Sequence, residues 1–412
     1  MVSLRKGTEK RPESETTFVS FRYDRPLLVL TFVLMAIGVV MVYSASIVNA
    51  EFRHADPTFF LKRQGAYLVL AIAAMAFFMN LHHDVWRRIP KTIYVGAVVM
   101  LLLILVPALA VKVNGATRWL QVGPIRFQPG ELVKVAWVMV LAGYLSTHQD
   151  KLASFKETWK KPLIMYGVLV ALLIMQPDFG TSVICGALML LMYFSAGARW
   201  RHVGALVGVA MVLIALAIYL APYRMRRLMT FLEPEADPLG AGFQVNQALI
   251  SFGSGEWTGL GLGESRQKLS YLPEAHTDFI FSILGEELGF VGVAVVILLF
   301  VAFIWRGFLI ARRAASSFGA LLAFGLTASI GMQAMINMGV ATALLPNKGV
   351  TLPFVSYGGS SLLLVSAATG ILLNISRREP PPAWLHRYLP DAAEAKRSAK
   401  RRRRNRTVEA TT

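Results

Sequence analysis

Long apolar runs alternate with short polar segments through most of this 412-residue chain. The apolar runs are about 15–25 residues long, which is the length that an α-helix needs to cross a bilayer. We interpret ten of them as membrane-spanning helices, at residues 26–47, 64–81, 92–111, 131–147, 162–176, 179–197, 203–221, 278–305, 317–340 and 358–375. The pattern predicts an all-α polytopic membrane protein with ten transmembrane helices and a large loop between helices 7 and 8.

Composition narrows the class of protein further. The chain is 55% hydrophobic and 16% charged, which excludes an ordinary soluble domain. Its one cysteine, Cys185, lies within an apolar run, so neither a disulfide framework nor a thiolate metal site is predicted. The seven histidines show no His-x-x-x-His spacing, and metal chemistry through histidine is not predicted either.

The positive charge predicts the orientation of the helices. The net charge is +18, and more than two-thirds of the 42 Lys and Arg residues fall in the tails and loops on the N-terminal side. With an even number of spans, the positive-inside rule places both termini in the cytoplasm. We predict basic cytoplasmic tails at 1–25 and 377–412 around a transmembrane domain at 26–376. The run from Lys400 to Arg404 would touch anionic lipid or dock a cytoplasmic partner.

The segment 253–289 is the strongest candidate for a site, because glycines, a proline and charges of both signs run directly into an apolar helix. Asp278 lies where that helix is predicted to begin. Thr277 or Asp278 could cap the helix, and a carboxylate near a helix N-terminus stays ionised, as a general base must. Glu286 lies about 12 Å further along the axis, too far to share a proton with Asp278. The helix face below Asp278 carries small residues, which leaves room for another helix or a ligand: Ser282, Gly285 and Gly289.

Three other connections on the same outer side are also polar. In the third-to-fourth connection, Arg118 and Trp119 could anchor the membrane interface or hold a phosphate. Glu131 and Lys134 follow at a spacing of three, which predicts an ion pair within one helix.

The remaining two connections place charges near the hydrocarbon. Asp178 lies in a very short fifth-to-sixth connection, where it would cap a helix or require a cation or donor. The ninth-to-tenth connection, 345–361, has two prolines and three glycines, which favours a re-entrant or broken helix that lines a wet cavity. Lys348 in this connection could pair with Asp178 or with a glutamate at membrane depth, or could meet a substrate anion. Without further information these residues predict only an outward-facing polar site.

The motifs in these connections resemble those of the SEDS family (shape, elongation, division and sporulation). The resemblance covers roughly residues 25–378 and rests on Asn114-Gly-Ala-x-Arg-Trp, Gln128-Pro-x-Glu-x-x-Lys, Gln176-Pro-Asp-Phe-Gly, Pro273-Glu-Ala-His-Thr-Asp-Phe-Ile-Phe, Gly285-Glu-Glu-Leu-Gly and Pro353-x-x-Ser-Tyr-Gly-Gly-Ser-Ser. Within the family the chain looks most similar to the division branch, through Ser265-Arg-Gln-Lys, Asn347-Lys-Gly and its long basic tails. Gly130 stands where the family usually has serine, which puts a hydroxyl contact at that position in doubt.

The resemblance implies a peptidoglycan glycosyltransferase in the inner membrane at the division septum, with its active site facing the periplasm. Such an enzyme polymerises lipid II and releases undecaprenyl pyrophosphate with inversion, and Asp278 matches the general base of the family. Cations would stabilise the leaving pyrophosphate; the candidates are Arg118, Arg266, Lys268, Lys134 and Lys348. Further candidates for substrate binding are Trp119, Glu131, Gln176, Asp178, Glu274, His276, Ser356, Ser360 and Ser361.

The resemblance also implies partners. These are a class B penicillin-binding protein transpeptidase (FtsI) and other membrane proteins of the divisome. No cofactor is certain, although a divalent cation could share the charge of the pyrophosphate. Two other functions would use the same groove and tails: a lipid II flippase, which would not need a base at Asp278, and a non-catalytic scaffold of the division machinery.

Overall fold

The computed structural model describes residues 23–377, except 82, 114–115, 124, 234–241 and 270–271. The chain divides into two units, residues 1–22 with 377–412 and residues 23–376. Nearly all of the first unit, including the basic run at 400–404, lies outside the described residues. The predicted tails therefore stay a prediction, and the fold described below is that of the second unit.

Helices dominate this unit. They are α1 (Arg25–His54), α2 (Phe59–Asn80), α3 (His83–Arg88), α4 (Pro90–Leu103), α5 (Pro129–Thr147), α6 (Phe155–Thr158), α7 (Lys160–Met175), α8 (Phe179–Ser195), α9 (Trp200–Tyr219), α10 (Pro222–Leu232), α11 (Phe243–Gly255), α12 (Ile280–Arg313), α13 (Ser317–Ala341) and α14 (Gly359–Ser376). A short 3-10 helix covers Gln149–Lys151.

Each predicted membrane span overlaps an apolar helix, although the helix at 92–111 ends early. Within the described part of the chain, seven helices are long and apolar enough to cross a membrane: α1, α2, α5, α9, α12, α13 and α14. α4 and α8 are shorter apolar helices, and α7 begins with two lysines. A predominantly helical, multi-pass membrane protein is confirmed, whereas the count of ten spans and the side of the termini stay predictions.

The prediction of an all-α fold is wrong in one place. The apolar run 92–111 does not continue as a helix; α4 ends at Leu103, and the chain forms a three-stranded antiparallel sheet of β1 (Ala110–Val113), β2 (Ala116–Val122) and β3 (Ile125–Phe127). Pro107 opposes continuation of the helix because it has no N–H and its ring clashes with the preceding turn. The alternating apolar residues that follow then suit strands, and Leu120 of β2 pairs with Phe127 of β3.

α13 lies at the centre of the helical bundle, where it packs against α5, α8, α12 and α14. It is buried along most of its length and carries polar side chains, among them Gln333 and Asn337, toward the site. α9 is at the opposite extreme, because none of its residues is buried. Such an apolar, unburied helix faces lipid, whereas α13 forms the rigid wall behind the site.

α12 is broken at Gly289, whose backbone (φ 63°, ψ −166°) is not helical. Only glycine tolerates this conformation readily, and a Cβ here would lie 2.4 Å from the backbone nitrogen of Gly259. The loop after α11 fills the break through N–H···O bonds from Leu260 to Glu286 (3.0 Å), Gly261 to Glu287 (3.0 Å), Phe290 to Glu256 (2.8 Å) and Val291 to Trp257 (3.2 Å). The segment 280–288 is thus a separate short helix, held by its own loop.

Candidate active site

Asp278 lies two residues before α12. The helix begins at Ile280 with Phe279 as its N-cap, and no side chain caps it, so the capping interpretation of Thr277 and Asp278 is wrong. The backbone carbonyl of Asp278 instead accepts a hydrogen bond from the amide of Asn337 (2.8 Å), which also donates to the carbonyl of Val350 (2.6 Å). One buried side chain of α13 therefore fixes Asp278 beside the ninth-to-tenth connection.

The Asp278 carboxylate is half-buried and, within the described residues, makes no hydrogen bond or ion pair. It lies against Gly349, where an added Cβ would be 2.8 Å from Oδ2. Burial and the nearby Glu274 carboxylate raise the pKa of Asp278 to about 7, while Arg118 and Arg227 act in the opposite direction. A carboxylate with this pKa can accept a proton near neutral pH.

Arg118 and Asp178 lie together at the start of α8. Arg118, on β2, donates a hydrogen bond to the carbonyl of Pro177. Asp178 caps α8 through the backbone N–H (3.2 Å) and the hydroxyl (2.6 Å) of Thr181, so the capping interpretation of Asp178 is confirmed. Gly130 adjoins this carboxylate, because a Cβ there would lie 3.1 Å from Asp178 Oδ2.

Lys348 lies across the same helix start. Its side chain covers Gly180 so closely that a Cβ on Gly180 would lie 1.7 Å from Lys348 Cε. Burial lowers the pKa of Lys348 to about 8, and the charge of Asp178 opposes that shift. Of the alternatives for Lys348, its proximity to Asp178 agrees with the structure. The next residue in the chain, Gly349, is the one that lies against Asp278.

The predicted pair of Glu131 and Lys134 is confirmed, with Nζ 2.8 Å from Oε1. It belongs to a larger network in which Lys134 also donates to the amide oxygen of Gln333. The amide nitrogen of Gln333 donates to Thr351 (3.1 Å to its carbonyl) and to the hydroxyl of Ser361 (3.2 Å). Lys134 is buried and engaged in this network, which joins α5, α13 and α14.

The other two cationic candidates, Arg266 and Lys268, contact the buried glutamates of α12, Arg266 through its backbone N–H and Lys268 through its ammonium group. The ammonium of Lys268 lies 3.3 Å from Glu287, whose carboxylate also accepts a hydrogen bond from Ser44 of α1 (2.5 Å). The backbone N–H of Arg266 donates to Glu286 (2.9 Å), and its side chain is exposed. Neither cation is among the charges that act on Asp278. Both buried glutamates therefore have partners that offset the cost of their burial.

The remaining candidates make contacts within the protein. Gln176 donates to the carbonyl of Leu101 (2.7 Å), Ser356 accepts from Leu352 N–H (2.8 Å), and Ser360 bridges Gln128 N–H (3.1 Å) and the carbonyl of Arg126 (3.3 Å).

Three further candidates lie on the loop before α12 or on the sheet. His276 is buried between the rings of Phe60 (4.7 Å) and Tyr357 (5.6 Å), and burial lowers its pKa. Glu274 accepts a hydrogen bond from Thr277 (2.9 Å). Trp119 is half-buried on β2.

Sequence reasoning missed one part of the site. α10, a short helix with three arginines, borders a cavity of about 200 Å³ lined by Arg227, Thr230, Phe231, Gln244, Val245 and Asn347. Arg227 donates to the backbone carbonyl of Asn347 (3.2 Å), and the Asn347 amide donates to Gln244 (2.7 Å). The available signal was the cluster of three arginines at 224, 226 and 227, which was not singled out from the sequence. Among the described residues, no group of three or more His, Cys, Asp or Glu side chains could hold a metal ion.

The fold of this chain is similar to that of two solved structures. A chain in the solved structure "Structural coordination of polymerization and crosslinking by a peptidoglycan synthase complex" matches with a TM-score of 0.71 and 30% identity, covering 86% of this chain and 98% of that one. The crystal structure of the rod shape determining protein RodA of Thermus thermophilus matches with a TM-score of 0.64 and 28% identity, covering 88% and 99%.

Sequence relatives are more similar still. The probable peptidoglycan glycosyltransferase FtsW of Thioalkalivibrio sulfidiphilus (strain HL-EbGR7) is 45% identical over 359 residues, which are 86% of this chain and 90% of that protein. The stage V sporulation protein E of Bacillus subtilis (strain 168) is 42% identical over 354 residues, 86% and 97% of the two chains. The family model of the FtsW/RodA/SpoVE cell cycle proteins matches residues 25–380. The resemblance inferred from the motifs is thereby confirmed, and the chain belongs to the FtsW/RodA/SpoVE family of cell cycle proteins.

Proposed function

We propose that this chain is a peptidoglycan glycosyltransferase of cell division that polymerises lipid II with Asp278 as its general base. Relatives at 42–45% identity are named probable peptidoglycan glycosyltransferase FtsW, which supports the reaction class. The state of the Asp278 carboxylate supports its role as the base. It is half-buried and makes no ion pair among the described residues. Burial and Glu274 raise its pKa to about 7, and Arg118 and Arg227 are close enough to lower that pKa.

In the proposed reaction, Asp278 accepts the proton of the acceptor sugar's 4-hydroxyl group. That oxygen forms a bond to the anomeric carbon of the donor from the face opposite the pyrophosphate. The bond from this carbon to the pyrophosphate oxygen breaks, and undecaprenyl pyrophosphate leaves with the electron pair, so the configuration inverts. Cations near the developing negative charge lower the barrier, because a fixed charge needs no reorganisation during the reaction.

The contacts divide four of the five predicted cations into two groups, and the exposed side chain of Arg266 belongs to neither. Lys134 and Lys268 are buried and bound to carboxylates, so their contribution is to hold α5 and α12 in place. Arg118 and Lys348 lie on connections that meet beside Asp278, and we assign them to the substrate. Removing Lys134 or Lys268 is therefore expected to reduce the amount of folded protein more than the turnover of what remains.

The proposed setting is the inner membrane at the septum, with ten spans, both termini in the cytoplasm and the site facing the periplasm. The partner would be a class B penicillin-binding protein such as FtsI, together with other divisome membrane proteins. Similarity to a chain of a peptidoglycan synthase complex supports a transpeptidase partner.

The test is a polymerisation assay with the purified protein, its partner transpeptidase and lipid II in detergent. Wild type should make glycan strands, whereas Asp278→Asn should make none while it melts at a temperature no lower than wild type and keeps its affinity for the partner. Asp150→Asn is the matched control, because Asp150 is an exposed carboxylate outside the site. Strand synthesis by Asp278→Asn would overturn the proposed base. Transport of lipid II into liposomes without any polymer would favour a flippase, and the absence of both activities would favour a scaffold.

A further inference from the structure

α10 carries its three arginines at the border of the site, and they differ in what they contact. Arg224 is fixed in place: its guanidinium lies over the ring of Phe179 (4.6 Å) and donates to the carbonyl of Ala217 (2.9 Å). Phe179 is the first residue of α8, directly after Asp178. Arg224 therefore docks α10 against the helix start where Arg118 and Lys348 also converge.

Arg227 lies further along α10 and borders the cavity. It is exposed, and its contact to the Asn347 carbonyl uses one of the five N–H groups of a guanidinium. The amide of Asn347 is in turn held by Gln244 of α11. Because Asn347 is held by both Arg227 and Gln244, the guanidinium of Arg227 is fixed in position. Its other N–H groups have no hydrogen-bond partner among the described residues and can face a ligand.

The cavity adjoins the candidate base through the chain itself. Asn347 lines it, Lys348 follows, and Gly349 is the residue that touches the Asp278 carboxylate. Arg227 affects the charge of Asp278 but forms no ion pair with it among the described residues. A guanidinium bound directly to the base would hold it in its ionised form. A guanidinium that lies near the base without forming an ion pair with it can bind an anion of the substrate instead.

The chemistry of the lining favours a phosphate group over a sugar. The described lining supplies a guanidinium, two amides and a hydroxyl, and each of these groups can donate hydrogen bonds to phosphate oxygens. The volume of about 200 Å³ is below the roughly 300–1,000 Å³ of pockets that enclose whole ligands, so this cavity would hold one part of a larger molecule. Arginine forks match phosphate oxygens in a bidentate geometry.

We propose that the cavity between α10, α11 and Asn347 is the subsite for the pyrophosphate of the polyprenyl donor, with Arg227 as its principal ligand. This inference rests on the proposed function of the chain and assigns a residue to its leaving group. Thr230 and Gln244 complete the subsite, and Lys348 meets the same diphosphate from the side of α8. Arg227 then stabilises the charge that develops on the pyrophosphate while Asp278 takes the proton on the acceptor side.

The test measures binding separately from chemistry. Undecaprenyl pyrophosphate is titrated into the Asp278→Asn protein in complex with its partner, with undecaprenol as the probe that lacks phosphate. Adding Arg227→Gln should weaken binding of the pyrophosphate about 10- to 100-fold, since a charge-assisted bidentate contact is lost. Binding of undecaprenol should not change. Arg226→Gln, an exposed neighbour on α10, is the matched control and should bind like its parent.

Two further measurements complete the experiment. In the active protein, Arg227→Gln should raise KM for lipid II and weaken inhibition by undecaprenyl pyrophosphate. Arg227→Lys should have a KM and an inhibition constant between those of Arg227→Gln and wild type, because lysine keeps the charge but lacks the forked guanidinium. Thr230→Val tests the same subsite from a second residue. Unchanged pyrophosphate affinity in Arg227→Gln would overturn the subsite, even if wild type polymerises lipid II. Failure of wild type to polymerise would instead overturn the proposed function.

Discussion

The rate of strand synthesis should rise with pH through neutrality, because the proposed base must be ionised before it can accept a proton. The pKa of Asp278 is raised from its ordinary value to about 7, first by burial and then by the charge of Glu274. From pH 6 to pH 8 the ionised fraction of such a group rises from about one-tenth to about nine-tenths, so kcat should rise about tenfold. The assay is the initial rate of polymerisation at saturating lipid II, measured from pH 5.5 to 8.5.

Glu274→Gln removes one cause of the raised pKa and should move the midpoint of this profile to lower pH. Glu264→Gln is the control, because Glu264 is an exposed carboxylate of the same loop that is not among the charges acting on Asp278. A rate that is flat between pH 6 and 8, or a midpoint that is the same in Glu274→Gln and wild type, would refute the reasoning.

The same raised pKa has the opposite effect on stability. The folded protein binds the Asp278 proton more tightly than the unfolded chain does, so this contribution is present at low pH and is lost as pH rises through about 7. At about 1.4 kcal/mol per pKa unit, the cost of ionising Asp278 is at most about 4 kcal/mol. Asp278→Asn should therefore melt at a higher temperature than wild type at pH 8, and the difference should shrink progressively as the pH falls from about 7 to about 4. A variant that is less stable than wild type at pH 8 would contradict this.

Three further predictions concern neighbouring features. Gly289→Ala should sharply reduce the yield of folded protein, because the substitution adds backbone strain of about 1–3 kcal/mol and a clash with the backbone of the loop after α11. Gly208→Ala is the control, since Gly208 has open space around it and its yield should not fall. Equal yields of the two variants by size-exclusion chromatography would contradict this. Lys268→Met should destabilise the protein by about 3–5 kcal/mol because it leaves a buried carboxylate unpaired, and adding Glu287→Gln should recover part of the melting temperature; no recovery would argue against the pair. Lys348→Ala should lower turnover more than abundance, and unchanged turnover with loss of folded protein would show a structural role.

The helices could be predicted because the length and hydropathy of an apolar run are enough to identify a membrane span. The same criterion failed at 104–111, where the residues are apolar enough for a helix but Pro107 and the pairing of β1 with β2 decide the conformation. Hydropathy reports on the surroundings of a segment, and both a lipid-facing helix and a sheet that covers a bundle are apolar. Proline and strand alternation were the only local signals of the difference.

Within the site, contacts between near neighbours were predictable and contacts between distant segments were not. The pair of Glu131 and Lys134 follows from helix geometry alone. The pair of Lys268 and Glu287 depends on how the loop folds back onto α12, so the sequence offered Lys268 as a candidate for substrate binding and gave no sign of this ion pair. Arg227 was missed for the same reason, because its direction is set by the docking of α10 through Arg224 and Phe179.

The joint at Gly289 separates two mechanical tasks that a continuous helix would combine. The portion of α12 after Gly289 is exposed on its apolar side and must follow the thickness of the surrounding bilayer, which helices accommodate mainly by tilting. The portion before it is buried on all sides and is bound to the loop from Glu256 to Gly261. When the lipid composition changes, the tilt can be absorbed at the joint, so Asp278 keeps its distance from the residues around it. If the chain polymerises a lipid of its own membrane, as proposed, the joint would protect the geometry of that reaction from changes in bilayer thickness.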